Sequence, residues 1–446
     1  MCQRGRKWSI LTFCLIVLML YNLLLTAKLM YKSDCSRNVI QVQKVEAPRN
    51  KPCLNDLGEF TVTQPFSKLD FRLGRWDNSR NYKYFDNLLI GEEFAELGDK
   101  FSVCLATQST VERLFSIAEV ANQWAASISL AVFAAGDDEL KILLVYIIYL
   151  RQCFANIKNK VTFHLAVPKG RMPTSNEIDI NDLPNMDCTK PEITLNQLLK
   201  RRSSATEKWR NKHPYPQNHM RNLARKHCGS GYVFLTDVDV IPSNKQAELL
   251  NEFLKETDCD GKCAYVIPTY ELDDRVAFPP NKSELVRLAN KGLARPFHQK
   301  VFVFNQFATN FSKWQNYKSE EDKVVVSHTV TNFEFLYEPF YVAPDDVPPH
   351  DERFVGYGYT RNTQVYEMYV AGYEFFVLSP LFTCHWGLQF KRGRPHWREI
   401  QNTQNRHRFE VFKHEVFAKY GRDPLDMVSI RRRARKHQHV HNHQNE

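Results

Sequence analysis

Two carboxylates two residues apart, Asp237 and Asp239, close an apolar run, Gly231-Tyr-Val-Phe-Leu-Thr, and lead into Val240-Ile-Pro-Ser. In an extended strand residues i and i+2 point to the same side. Two carboxylates on one side, at the carboxyl end of a buried strand, suit a hard divalent cation such as Mg2+ or Mn2+. A cation held there can bridge nucleotide phosphates and neutralise a leaving diphosphate. The bland alternative is a solvated acidic pair at a strand end. A phosphatase of the haloacid-dehalogenase type also carries Asp-x-Asp at a strand end, followed by x-Thr or x-Val. Here Ile241 stands at that fifth position, and the motif follows three β-α units instead of opening the domain.

The elements that must position this pair can be read from apolar periodicity. Residues 101–107, 127–134 and 161–167 read as strands; 111–124 and 139–154 carry helical spacing. The β-α-β-α-β order implies right-handed crossovers and a mostly parallel sheet, with ligands beyond the carboxyl ends of the strands. Residues 216–227 read as a helix feeding the Asp-x-Asp strand, and 264–271 as a further strand. The last 200 residues read as short strands alternating with aromatic loops.

The ends carry a different message. Residues 8–27 are almost wholly apolar and uncharged, preceded by Arg4, Arg6 and Lys7. That length spans a bilayer as a helix, and the basic tail keeps the N-terminus cytoplasmic. A cleaved signal peptide would have a shorter apolar run and a small-residue cleavage site. The second apolar run, 140–150, is too short to span and reads as a core helix. The expected layout is a cytoplasmic tail over 1–7, a transmembrane signal-anchor over 8–30, a lumenal stem over 31–80, a catalytic domain over 81–425 and a basic, His-rich, disordered tail over 426–446.

Composition agrees with an enzyme-sized domain. Of 446 residues 43% are hydrophobic and 13% aromatic, which a disordered chain would not reach. The net charge of +10 is concentrated in the N-terminal tail and in the run of Arg and Lys over 431–436, so no nucleic-acid partner is expected. The eleven cysteines suit an oxidising compartment. Cys259 and Cys263 have no matching second pair for zinc and read as a local disulfide, while Cys35 in the stem could bridge two copies. Asn281-Lys-Ser and Asn310-Phe-Ser are N-glycosylation acceptors in form.

Six stretches together resemble glycosyltransferase family 49, in family order over about 80–420. They are Tyr215-Pro-Gln-Asn-His-Met-Arg-Asn-Leu-Ala-Arg225, Phe234-Leu-Thr-Asp-Val-Asp-Val-Ile-Pro-Ser243, Asn281-Lys-Ser-Glu-Leu-Val286, Glu338-Pro-Phe-Tyr-Val-Ala343, Asp351-Glu-Arg-Phe-Val-Gly-Tyr-Gly358 and Tyr369-Val-Ala-Gly-Tyr-Glu-Phe-Phe-Val-Leu378. The stem and tail have no counterpart in that pattern. The resemblance implies a GT-A-type nucleotide-diphospho-sugar transferase fold and an inverting transfer in the Golgi. It implies Mn2+, with Mg2+ as the alternative, on Asp237 and Asp239, and His385 as third ligand, since Mn2+ accepts imidazole. The competing reading of His385 is a packed histidine beside Trp386.

Inversion in one displacement needs a carboxylate to take the acceptor's proton. The family's Asp-x-Arg-Phe pattern points to Asp351, with Glu352 the runner-up; otherwise Asp351 pairs with Arg353 or caps a turn. The implied donor is UDP-glucuronate, whose carboxylate calls for an arginine: Arg221 or Arg295. The implied acceptor is a β-xylose-type sugar on O-mannosyl glycans of a glycoprotein, and the expected location is the Golgi membrane as a single-pass type II protein. A second copy or another glycosyltransferase is the expected protein partner. The rival readings are an N-acetylglucosaminyltransferase of the same fold and a catalytically silent Golgi partner protein.

Overall fold

The computed structural model describes residues 66, 69–174, 187–257, 259, 262–391 and 395–428, together with Met19. The chain divides into two units, Met1–Phe60 and Thr61–Glu446, and the elements below belong to the second. The expected membrane span and the basic tail lie outside the described residues, apart from Met19 and the tail's first three positions. Among the described residues no helix is long and apolar enough to cross a membrane. The stem expected up to 80 does not run that far as a separate segment: Phe66 is buried, and β1 (Arg75–Trp76) joins the main sheet.

The fold is mixed α/β. After β1 come β2 (Tyr82–Leu89), β3 (Val103–Thr110), β4 (Ile128–Phe133), β5 (Val161–Pro168), β6 (Tyr232–Leu235) and β7 (Ile241–Pro242). The second half supplies β8 (Cys263–Ile267), β9 (Thr269–Leu272), β10 (Ala294–Pro296), β11 (Val325–Thr329), β12 (Phe340–Pro344), β13 (Glu374–Ser379) and β14 (Thr383–Trp386). One sheet has the order β1-β2-β5-β4-β3-β6-β12-β8-β13-β11, the other β10-β9-β14-β7.

The block β5-β4-β3-β6 is parallel. Its strands β3, β4 and β5 are nearly continuous buried runs, as a sheet covered on both faces requires. Outside the block β8 and β13 also pair in parallel, but the other pairings overturn the expectation of a mostly parallel sheet. β2 runs antiparallel to β5, β12 runs antiparallel to both β6 and β8, and β11 runs antiparallel to β13. The apolar run at 140–150 lies in the helix Asp137–Cys153, whose first turn carries Asp137, Asp138 and Glu139 and whose last turn carries Arg151, each matched to the helix dipole.

Three local expectations are corrected. The helix read over 111–124 opens as a 3-10 segment, Val111–Ser116, before the α-helix Ile117–Gln123. The strand read over 264–271 is broken at Pro268, which has no N–H to donate; β8 stays in the large sheet and β9 enters the small one. The last 200 residues are not only strands and loops, since they include the helices Lys282–Asn290, Arg361–Ala371 and His396–Tyr420.

Disulfides join Cys104 to Cys228, Cys153 to Cys188 and Cys259 to Cys263; among the described residues Cys384 is buried and free. The first ties β3 to the end of the helix Gln217–Lys226 across 124 residues. Closing so long a loop restricts the unfolded chain. Replacing both Cys104 and Cys228 by Ala is therefore expected to cost about 2–5 kcal/mol, read as a lower denaturant midpoint with a steeper slope, since the released unfolded chain exposes more surface.

Candidate active site

The acidic pair sits where the chain passes from one sheet to the other. β6 ends at Leu235, and the N–H of Val240 donates to the carbonyl of Asp237, closing a turn before β7 pairs with β14. The expectation that both carboxylates share one face of an extended strand is thus corrected: they lie on a turn just past the strand. β14 carries His385, and the indole N–H of Trp386 donates to the Glu119 carboxylate at 3.0 Å, tying that strand to the helix Ile117–Gln123.

Asp237, Asp239 and His385 line one cavity of 280 Å³. Asp239 Oδ2 is 3.6 Å from His385 Nε2 and 3.8 Å from a guanidinium nitrogen of Arg113. Asp237 Oδ1 faces Arg361 at 2.8 Å and Arg221 at 3.5 Å, and accepts from the Gln108 amide at 3.3 Å. Burial pushes the Asp237 carboxyl up, but Arg361, Arg221 and Gln108 outweigh it and hold it below the usual carboxylate range. The donor set of two carboxylates and one imidazole fits a Mn2+-type cation. Asp239 and His385 already face each other, whereas Asp237 is turned towards its two arginines. Among the described residues these three do not bring their ligand atoms within 4.8 Å of one another.

Four residues that sequence reasoning missed share this cavity. Arg361, at the start of the helix Arg361–Ala371, is buried with its guanidinium 4.1 Å from the Phe340 ring centroid. Its approach is set by the loop before it. Gly356 and Gly358 have φ of 79 and 83, and a Cβ on either would run into Gln401 or Asn402 of the helix His396–Tyr420. Asn405 of that helix donates to the carbonyls of Val355, Tyr357 and Gly358. Arg113 stands at the rim, its side chain 63% exposed. Glu338 precedes β12, and burial raises its carboxyl above the ordinary range even though Arg361 and Arg221 pull it down. His298 adopts φ 59 and hydrogen-bonds the Asn305 amide through Nδ1; burial first, then His385, takes its pKa down to about 4, so it is neutral. Only Glu338 carried any signal, since it opens one of the six family-like stretches.

Of the other expected site residues, one lies here and the rest are placed elsewhere. Arg221 lines the cavity, but Arg295 does not. Arg295 lies directly across from Glu271 in the β10–β9 pairing and is ion-paired to it at 2.7 Å, with a second bond to the Gln389 carbonyl. Asp351 and Glu352 line a separate cavity of 760 Å³. The Asp351 carboxylate accepts from the backbone N–H and the guanidinium of Arg353, which also reaches Glu415. Asn281 and Asn310 each cap a helix, accepting from the N–H groups of Glu284 and Lys313.

A cavity at the end of a parallel block, ringed by carboxylates, imidazoles and guanidiniums, is a site for a cation and an anionic ligand. Comparison with known proteins gives the class. A family model described as a glycosyl-transferase for dystroglycan, glycosyltransferase family 49, matches residues 102–421. The chain belongs to this family and is a glycosyltransferase. It is 31% identical to Beta-1,4-glucuronyltransferase 1 of Homo sapiens over 361 residues, covering 79% of this chain and 82% of that one. The Danio rerio counterpart is 30% identical over 362 residues, covering 79% and 83%. Xylosyl- and glucuronyltransferase LARGE1 of Homo sapiens is 25% identical over 343 residues, covering 75% of this chain and 38% of that one. Among solved structures, GalNAc-T7 with UDP, GalNAc and Mn2+ aligns at a TM-score of 0.34 and 11% identity, covering 71% of this chain and 50% of that one, a likeness too slight to argue from.

Proposed function

We propose that this glycosyltransferase moves glucuronic acid from UDP-glucuronate, with inversion, to a β-xylose-type acceptor on O-mannosyl glycans. It would act as a GT-A-type enzyme in the Golgi lumen, anchored by residues 8–30. The names of the relatives support the donor sugar. The observation that carries the site is the 3.6 Å approach of Asp239 to His385 beside a half-buried Asp237, in a cavity that also holds Arg113, Arg221 and Arg361.

Asp237, Asp239 and His385 would hold Mn2+ or Mg2+, which when bound supplies positive charge against a diphosphate leaving group. Arg361 and Arg221 orient Asp237 and keep it ionised. Arg113, exposed and only loosely paired with Asp239, is the arginine best able to turn towards the donor's diphosphate or carboxylate. Removal of the acceptor proton we assign to Glu338 in preference to Asp351. Glu338 shares the cavity of the acidic pair, and a carboxyl with a raised pKa is a stronger base once ionised. Asp351 is clamped by Arg353 and lines the other cavity.

The test is a donor panel on the full-length chain in detergent with Mn2+, following UDP release with and without xylose-terminated acceptors. Acceptor-dependent release with UDP-glucuronate alone is expected. Release with UDP-N-acetylglucosamine instead would overturn the donor assignment, and no release with any donor would favour a silent partner protein.

A further inference from the structure

We propose that Asp77, His219 and Glu352 form a second divalent-cation site, across the helix Gln217–Lys226 from the acidic pair. Asp77 follows β1, His219 lies in the first turn of the helix, and Glu352 sits in the loop after β12. His219 and Arg221 are two apart on the helix, about 200° around its axis. One therefore faces Asp77 and Glu352 while the other faces Asp237.

His219 Nε2 lies 3.7 Å from Asp77 Oδ2 and 3.8 Å from Glu352 Oε2, and the ligand atoms of all three lie within 4.8 Å of one another. Those gaps are too long for hydrogen bonds. They match two ligands of one ion, since bonds of about 2.0–2.2 Å separate cis ligands by roughly 3–4 Å. The Asp77 side chain is 1% exposed and that of His219 4%. Asp77 otherwise accepts from the backbone N–H groups of Ser79 and Tyr82, which orient it without neutralising it. Among the described residues no lysine or arginine pairs with Asp77 or Glu352. A neutral imidazole binds a metal through a ring nitrogen, and here Nε2 is the nitrogen that faces both carboxylates.

A second observation points into the same place. Among the described residues the Tyr84 hydroxyl is buried without a hydrogen-bond partner. Tyr84 is 3% exposed and lines the same 760 Å³ cavity as Asp77 and Glu352. An unpaired buried hydroxyl is costly and rare. A water on a cation held by the three ligands would satisfy it. Two carboxylates and a neutral imidazole balance one dication, and the nitrogen–oxygen donor set without thiolate suits zinc or manganese. The site would tie the β1–β2 hairpin to the helix and to the loop carrying Asp351, whichever sugar the enzyme transfers.

The experiment uses the full-length chain with Asp239→Ala and His385→Ala, which disable the first site. His437, His439, His441 and His443 are replaced by Ala so that the tail contributes no metal. After chelation and dialysis against Zn2+, metal content by mass spectrometry is expected to be about one equivalent per chain. Adding Glu352→Gln, with an unchanged melting curve in chelator, should take it to near zero. Retention of the full equivalent in that variant, or no bound Zn2+ before it is made, overturns the proposal. Should the Glu352→Gln chain not fold, Co2+ absorption of the parent variant decides. Visible bands of a bound, low-symmetry ion are expected, and the spectrum of the free aqueous ion overturns the site.

Discussion

Asp239→Ala should abolish sugar transfer, lowering acceptor-dependent UDP release by about 10³-fold or more, the scale on which losing a key electrostatic group at a developing charge is felt. Asp239 is the better target of the acidic pair because its contacts are weak. Arg113 is 3.8 Å away and largely in solvent, and His385 is 3.6 Å away. The fold should not notice the change. Asp237→Ala would be less clean. It strips a counter-charge from Arg221 and Arg361, each 6% exposed, and uncompensated buried charge costs about 3–5 kcal/mol. Steady-state UDP release and a melting curve on both variants separate the two effects. Equal loss of stability in both would contradict this division of roles.

Glu338→Gln is the second large effect expected, a fall of about 10²–10⁴-fold in kcat for loss of a general base. The pH profile gives the sign. A base works ionised, so the rate climbs as pH rises through its pKa. Burial has raised that pKa, so the acidic limb lies at higher pH than an ordinary carboxylate would give. In Glu338→Gln this limb should vanish from the residual rate. Asp351→Asn should leave it in place, because Arg353 already commits that carboxylate. The reverse pattern, with the limb lost in Asp351→Asn and kept in Glu338→Gln, would return the base to Asp351.

The parallel block was legible because β3 opens on Val-Cys-Leu-Ala, β4 and β5 are mostly apolar, and the helix Asp137–Cys153 is apolar on nearly every face. The acidic pair was legible for the same reason, standing at the end of such a run. Its turn was not, since the break at Leu235 depends on β7 leaving for a strand that lies about 140 residues onward. Arg295 looked like a free arginine because its partner Glu271 is set by a cross-strand register that no local pattern shows. Arg113, Arg361 and His298 were invisible as site residues, and Glu338 was marked only by a family-like stretch, because the fold, not their spacing, brings them to Asp237 and Asp239. The helix His396–Tyr420 escaped notice because only Asn405, Phe409, Phe412 and Val416 are buried along its 25 residues. That is too thin a stripe to stand out from its charged surroundings.

The cavity beside Asp239 and His385 is proposed as the place where a cation and a nucleotide diphosphate meet. The most direct measurement is calorimetric titration of UDP into the full-length chain. With Mn2+ present, one binding event per chain is predicted. It should disappear when Mn2+ is withdrawn or Asp239 is replaced by Ala, and persist in Glu338→Gln. UDP binding that is indifferent to Mn2+, or that survives in Asp239→Ala, would contradict the assignment of this cavity.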